Sequence, residues 1–263
     1  MRLIAITFLP VILSGAQIVS FSSGNLTLRG VIHKPDGPGP FPAVLFNHGS
    51  AKDYSKEFDA LGPVYVKHGW VFFAPYRRGQ GLSAEAGPYI IDEVNRVGHA
   101  DGLAAGSKAM VRLLETDHLN DQLAALAWLK KSGFVDPARV SVAGNSFGGI
   151  QAVLGAERGS YCAAVDSKGA AETWAKSTDV QQLMTRAVQN AKAPIFFFQA
   201  ENDWDLAPSR ELAAAAKAAG HPYQVKIYSR YGESKAEGHS FGYFGSSIWA
   251  EDVFKFLNQH CSK

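Results

Sequence analysis

A serine hydroxyl becomes a useful nucleophile at neutral pH only when a base takes its proton and a carboxylate orients that base. The segment Arg139-Val-Ser-Val-Ala-Gly-Asn-Ser-Phe-Gly-Gly149 contains such a serine, in the pattern Gly144-x-Ser146-x-Gly148 directly after a β-branched run. A sharp strand-to-helix turn brings the chain so close to its neighbours that side chains two positions either side of the serine would clash, and glycine removes them. Ser146 then stands at the tip of the turn. The helix that follows aims backbone N–H groups and its positive dipole end at a developing oxyanion. A bare G-x-S-x-G arises by chance in glycine-rich loops; the strand before it and the small-residue helix after it make this one specific.

The carboxylate and the base are expected later in the chain, beyond further strands, where loops converge above one sheet edge. Gln199-Ala-Glu-Asn-Asp203-Trp-Asp205 follows one strand, and Glu237-Gly-His239-Ser-Phe241 follows another. Asp203 and Asp205 are both candidates for the acid. Eight histidines are present. His33, His68, His118, His221 and His260 read as structural or solvated, and His99 lies in an insertion. His48 stands at a strand end with another role, leaving His239 as the base. Asn47-His48-Gly49-Ser50 also closes a strand, so the amides of Ser50 and Phe147 are the candidate oxyanion donors; a plain turn is the alternative for the first of these.

Short β-branched or aromatic runs alternate with helical patterns through most of the 263 residues, which argues for an α/β fold with a mostly parallel sheet covered on both faces. Strands are expected at Gln17–Phe21 and Leu26–Ile32 (an opening hairpin), Pro42–Phe46, Trp70–Ala74, Arg139–Ala143, Tyr161–Val165, Pro194–Phe198 and Tyr223–Tyr228. Helices are expected at Asp121–Lys131, Ser209–Ala219 and Ile248–Leu257. Stretches near 83–118 and 167–192 fit the alternation poorly and are expected as lid-like insertions within a single domain over 17–263. With 26 Lys+Arg against 24 Asp+Glu and no basic run, no nucleic-acid footprint is visible. No segment reaches transmembrane length, and the composition suggests neither a metal nor an organic cofactor.

Met1-Arg2, the apolar run Leu3–Leu13 and the small residues Ser14 and Ala16 match a secretory signal peptide over 1–16, cleaved after Ala16. A secreted or periplasmic location follows from that reading. The alternative is a cytoplasmic protein with an apolar first strand or arm. Two cysteines exclude a disulfide-rich scaffold. Cys162 is expected as a buried thiol and Cys261 in a loose tail, with pairing left open.

Taken together, Asn47-His-Gly-Ser50, Tyr76-Arg-Arg-Gly-Gln-Gly-Leu-Ser83, Gly144-Asn-Ser-Phe-Gly-Gly149, Glu201-Asn-Asp203 with Pro208, and Gly238-His239 resemble an α/β-hydrolase of the dienelactone hydrolase-like group. That group is itself similar to the catalytic domain of prolyl oligopeptidase-type enzymes. The resemblance implies the α/β-hydrolase fold and the triad Ser146, Asp203 and His239. It singles out Asp203 by its spacing from Ala200 and Pro208, with Asp205 then expected to be exposed or to cap a helix ahead of Ser209. True dienelactone hydrolases carry a cysteine nucleophile; Ser146 in its place implies general ester hydrolysis, and the lack of a propeller-sized extension points away from an oligopeptidase. Tyr54, Trp174, Trp204 and Phe241 are candidate substrate contacts, with ordinary packing as the alternative for each. Arg77 and Arg78 are candidates either to clamp a carboxylate or to hold loops together. The reading is a serine carboxylesterase acting on a small-molecule ester. A peptidase or amidase with the same triad, or a non-catalytic binding protein, is the alternative, and the oligomeric state is left open.

Overall fold

Runs such as Ala43-Val-Leu-Phe46, Val71-Phe-Phe-Ala74 and Ile195-Phe-Phe-Phe198 are apolar at every position, so as strands they need cover on both faces. In the computed structural model, which describes residues 15–262, they form β3 (Phe41–Asn47), β4 (Val71–Pro75) and β7 (Ile195–Ala200). With β1 (Gln17–Ser23), β2 (Leu26–His33), β5 (Val135–Asn145), β6 (Ala164–Ser167) and β8 (Tyr223–Tyr228) they build one eight-stranded sheet in the order β1-β2-β4-β3-β5-β6-β7-β8. From β4 to β8 the sheet is parallel; β1 and β2 form an antiparallel hairpin that adds to β4. The fold is therefore the mostly parallel α/β sheet that the alternation of elements predicts.

Successive strand residues point to opposite faces, and each face has its own core. Val44, Phe46, Phe72, Phe196 and Phe198 meet α1 (Ser55–Lys67), α8 (Lys235–Phe244) and α9 (Ser246–His260) through Phe58, Tyr65, Phe241, Trp249 and Phe254. Leu45, Phe73, Val142 and Phe197 meet the other layer. That layer comprises α2 (Ile90–Asp101), α3 (Leu103–Glu115), α4 (Asp117–Lys131), α5 (Phe147–Arg158), α6 (Thr178–Gln189) and α7 (Ala207–Ala218). Phe58 and Phe197 are fully buried; truncating either to Ala should cost about 3–5 kcal/mol.

Three expectations change. Segment 83–118 is an added helical hairpin, α2 and α3, joined at Gly102 and braced against the start of α6 by a 2.6 Å contact between Ser107 Oγ and Ser177 Oγ. Segment 167–192 is not an insertion. It contains α6, the crossover helix that any parallel β6–β7 pair requires. The cysteines form a disulfide, Cys162–Cys261, which ties the chain just before β6 to the end of α9. Cys261 is buried there, with its carbonyl accepting from Arg139 Nε at 2.8 Å, so the residue expected in a loose tail is clamped. The signal-like segment falls almost wholly outside the described residues. Among those residues no helix is long and apolar enough to cross a membrane.

Cys162 and Cys261 lie 99 residues apart, so their link closes a long loop in the unfolded chain. Replacing both with serine is expected to reduce the unfolding free energy by about 2–5 kcal/mol. Urea denaturation should show it, with a reductant lowering the midpoint of the wild type but not of the double variant. Equal midpoints for the two proteins would show that the link adds no stability.

Candidate active site

The parallel sheet delivers three strand ends to one edge. At the end of β5 the chain reverses into α5 through Ser146, held at φ 58° and ψ −119°. Few side-chain-bearing residues adopt such a conformation, and it costs on the order of 1–3 kcal/mol. Ser146 N–H donates to Ser167 O at 2.9 Å, and Gly149 N–H donates to Ser146 O at 2.8 Å, fixing both sides of the turn. A Cβ on Gly144 would collide with Gly148 O, and one on Gly148 with Asn47 O. The two glycines are thus required by close approach.

His239 Nε2 lies 2.9 Å from Ser146 Oγ, and His239 Nδ1 lies 2.6 Å from Asp203 Oδ1. A carboxylate at Nδ1 keeps the ring proton there, which leaves Nε2 to accept the Ser146 hydroxyl. Asp203 follows β7 in a tight turn. Its Oδ1 also accepts from Trp204 N–H at 2.6 Å, and its Oδ2 from Gln199 Nε2 at 2.9 Å. Burial alone would raise the Asp203 carboxyl, but the hydrogen bond and charge of His239, the charge of Lys168 and the Gln199 hydrogen bond hold it below the usual range. Asp205 Oδ1 accepts from Ala207 N–H at 2.9 Å, so this second carboxylate caps the start of α7.

The sequence places His239 in a loop, whereas the structure places it on α8, just past the first turn. The missed signal is Ser234-x-x-Glu237: the Ser234 hydroxyl accepts from Glu237 N–H, and the Glu237 carboxylate accepts from Ser234 N–H, which closes a capping box. Asn202 couples this helix to the acid turn. Its Nδ2 donates to Ser234 O at 2.8 Å and its Oδ1 accepts from Tyr231 N–H at 2.9 Å. The turn that carries the acid and the helix that carries the histidine are thus directly bonded.

Phe147 opens α5, where the first amides have no acceptor within the helix. Ser50 lies in the turn after β3, and the amides flanking it are occupied. Gly49 N–H donates to Tyr243 Oη and Ala51 N–H to Tyr54 Oη, each at 2.9 Å.

Of the candidate substrate contacts, Tyr54, Trp174 and Phe241 are buried and engaged elsewhere. Tyr54 holds the Ser50 turn, Trp174 Nε1 donates to Glu211 Oε2 at 3.1 Å, and Phe241 packs on Phe198 and Tyr228. Aromatic residues read alike in sequence whether they fill a core or a cleft, so only the fold separates them. Trp204, 42% exposed, lines a cavity of about 440 Å³ with Ala171, Glu172, Ala175, Lys176 and Asp205. Glu172 Oε2 is 4.0 Å from His239 Nε2, which sets this cavity beside the reactive groups. Neither arginine is free to clamp a ligand carboxylate. Arg78 pairs with Asp121 and Asp117, and Arg77 is buried among carbonyls. Among the described residues no three His, Cys, Asp or Glu side chains gather as a metal-binding group.

The strand order, the turn at Ser146 and helices on both faces define the α/β-hydrolase class. Within it, the chain belongs to the dienelactone hydrolase family, whose model matches residues 28–247. Its fold is shared by an acylaminoacyl peptidase from Pyrococcus horikoshii (TM-score 0.67, 16% identity, 94% of this chain and 42% of that one). It is also shared by a puromycin-hydrolyzing peptidase from Mycobacterium tuberculosis (0.68, 18%, 97% and 42%). A thermophilic esterase from Thermogutta terrifontis matches at TM-score 0.64 and 16% identity, over 94% of this chain and 93% of its own. The chain thus spans less than half the length of these peptidases and nearly the whole of the esterase.

Lys168, just past β6, was not singled out by the sequence. It is 1% exposed with φ 56°, and its Nζ has no hydrogen-bond partner among the described residues. Burial lowers its amine from 10.5 to about 7, against the opposing charges of Asp203 and Glu172. Because the folded value is the lower one, wild-type stability is reduced as pH falls from 10.5 toward 7, and Lys168→Met escapes that loss. The Tm advantage of Lys168→Met should therefore be larger at about pH 6 than at about pH 10. Calorimetry at both pH values checks it; an equal difference would mean that the buried amine does not titrate in this range.

Proposed function

We propose that the protein is a serine esterase, hydrolysing small-molecule carboxylic esters through an acyl-enzyme. The observation that carries this reading is the continuous hydrogen-bonded chain from Ser146 Oγ through His239 to the buried Asp203. Ser146 Oγ attacks the ester carbonyl while His239 Nε2 takes its proton. The Ser50 and Phe147 amides receive the oxyanion, and His239 returns the proton to the departing alkoxide. Water, deprotonated by the same nitrogen, attacks the acyl-enzyme and releases the acid. Asp203 fixes the tautomer and stabilises the imidazolium. The cavity at Trp204 and Glu172 is large enough for one side of a small ester. A peptidase or amidase would use the same groups and is favoured by the peptidases that share the fold. The two readings differ in the leaving group and not in the nucleophile.

Hydrolysis of short-chain, long-chain and aromatic esters alongside amides separates them. A fluorophosphonate should add once, on Ser146, and Ser146→Ala or His239→Ala should each remove several orders of magnitude in turnover because the groups act together. Comparable turnover in wild type and Ser146→Ala would end the serine-esterase reading. Asp203→Asn should leave a folded protein with turnover reduced by up to about 10⁴. Asp205→Asn, which alters a helix cap and the rim of the Trp204 cavity, should reduce stability by at most about 1 kcal/mol and lower turnover far less than Asp203→Asn. The reverse ranking would move the acid to Asp205.

We also propose that the protein is exported. Disulfides persist in oxidising compartments, and Cys162–Cys261 is one. Mass spectrometry of the protein from its native host should then find an N-terminus at Gln17; an intact Met1 would refute export by cleavage.

A further inference from the structure

Arg77 is 4% exposed, yet no carboxylate lies among its hydrogen-bond partners. Its Nη1 donates to His48 O at 2.8 Å, its Nη2 to Gly49 O, and its Nε to Gln80 Oε1 at 3.1 Å. Arg77 N–H donates to His48 Nε2 at 3.3 Å, and His48 Nδ1 lies 3.0 Å from both Gly49 O and Arg77 Nη2. Gln80 Nε2 donates to Ala51 O at 2.6 Å, with longer contacts to Ser50 O and Gly49 O at 3.4 and 3.5 Å. Tyr89 Oη donates to Ser50 O. The carbonyls from His48 to Ala51 are thus all held by side chains. Two donors converge on Gly49 O, the charged Arg77 Nη2 and, at longer range, Gln80 Nε2.

Gly49 C=O and Ser50 N–H are the two ends of one planar peptide unit and point in opposite directions. Anchoring the oxygen fixes the direction of the hydrogen. A cation on the oxygen also draws electron density along the amide and makes its N–H a stronger donor. Burial lowers the guanidinium to about 10, so it keeps its charge at neutral pH. Its charge is screened little there, because it is packed against the Phe147 ring with Cζ 5.4 Å from the centroid.

We propose that Arg77 is a positioning residue for the oxyanion site, acting through the Gly49–Ser50 peptide to aim and polarise the Ser50 amide. The inference rests on the serine-esterase reading, in which Ser50 N–H meets the oxyanion. It assigns a catalytic consequence to an arginine that touches neither substrate nor nucleophile. Arg77→Lys keeps the buried charge but cannot serve acceptors on three sides. Losing a whole oxyanion donor costs about 10²–10³ in kcat, so a misdirected one should cost roughly 10–10², with KM almost unchanged. A role in loop stability alone would lower Tm without altering the acyl carbonyl.

The test is infrared spectroscopy of an acyl-enzyme formed with an isotope-labelled ester, beside steady-state kinetics and Tm, on wild type, Arg77→Lys and Gln80→Met. The expected result is a lower kcat in Arg77→Lys and an acyl C=O stretch shifted to higher frequency, because the oxygen is less polarised. Gln80→Met should give a smaller shift of the same sign. The inference is overturned if folded Arg77→Lys keeps kcat within about twofold and the wild-type frequency. Should that variant not fold, the same outcome in Gln80→Met overturns it. Absence of any acyl-enzyme on Ser146 in the wild type would instead overturn the esterase reading and this inference with it.

Discussion

Ser146 occupies a backbone conformation that L-residues avoid, and much of the surrounding architecture exists to hold it there. The turn is tolerated because β5 is paired on both sides up to its last residues, and because Ser146 N–H is captured by the carbonyl of Ser167 on β6. The same close approach that excludes Cβ atoms at positions 144 and 148 brings the β3 turn to the start of α5. The Ser50 turn and the first residue of α5, distant in the chain, are thus carried on neighbouring elements. A strained element of this kind persists only where its neighbours over-determine it. Here those neighbours are the central strands of the sheet.

The second feature of the site is the number of charges kept out of water. Asp203, Arg77 and Lys168 are all nearly inaccessible. Asp166 is buried too, and its carboxyl is pushed up to about 7 by burial against the opposing hydrogen bond from Gly169. A buried charge is costly unless it is paired or hydrogen-bonded. Asp203 is compensated by His239, Gln199 and the Trp204 amide, and Arg77 by carbonyl oxygens. Lys168 has no hydrogen-bond partner among the described residues, and the Tyr243 ring and nearby carboxylates offset its burial only in part. It lies directly after the strand whose last carbonyl anchors Ser146, with Asp203 supplying the largest charge that favours its ionised form. Perturbed groups thus gather at one sheet edge, beside a cavity.

The disulfide clamps the edge where β6 begins, opposite the edge that carries Ser146, Asp203 and His239. Around the reactive edge lie the α2–α3 hairpin and the half-exposed rim at Trp204 and Glu172.

The amino-acid sequence by itself located the strands, because short apolar or alternating runs between turn residues need the pairing and cover of a sheet. It did not fix all their ends: β5 runs Val135–Asn145 where Arg139–Ala143 is expected, and β6 Ala164–Ser167 where Tyr161–Val165 is expected. It also singled out the serine, acid and histidine that the fold brings into contact, because nucleophile-turn chemistry demands particular residues at fixed spacing. The choice of Asp203 over Asp205 came from the family resemblance, through the spacing from Ala200 and Pro208, and the contact of Asp203 with His239 agrees with it. Other features depend on contacts between residues far apart in the chain. The pairing of Cys162 with Cys261, the burial of Tyr54, Trp174 and Phe241, and the proximity of Glu172 and Lys168 to the histidine leave no local pattern. Arg77 is the clearest case. As a residue type it suits an anion clamp, and only the tertiary structure turns its guanidinium away from any ligand and onto the carbonyls behind Ser50.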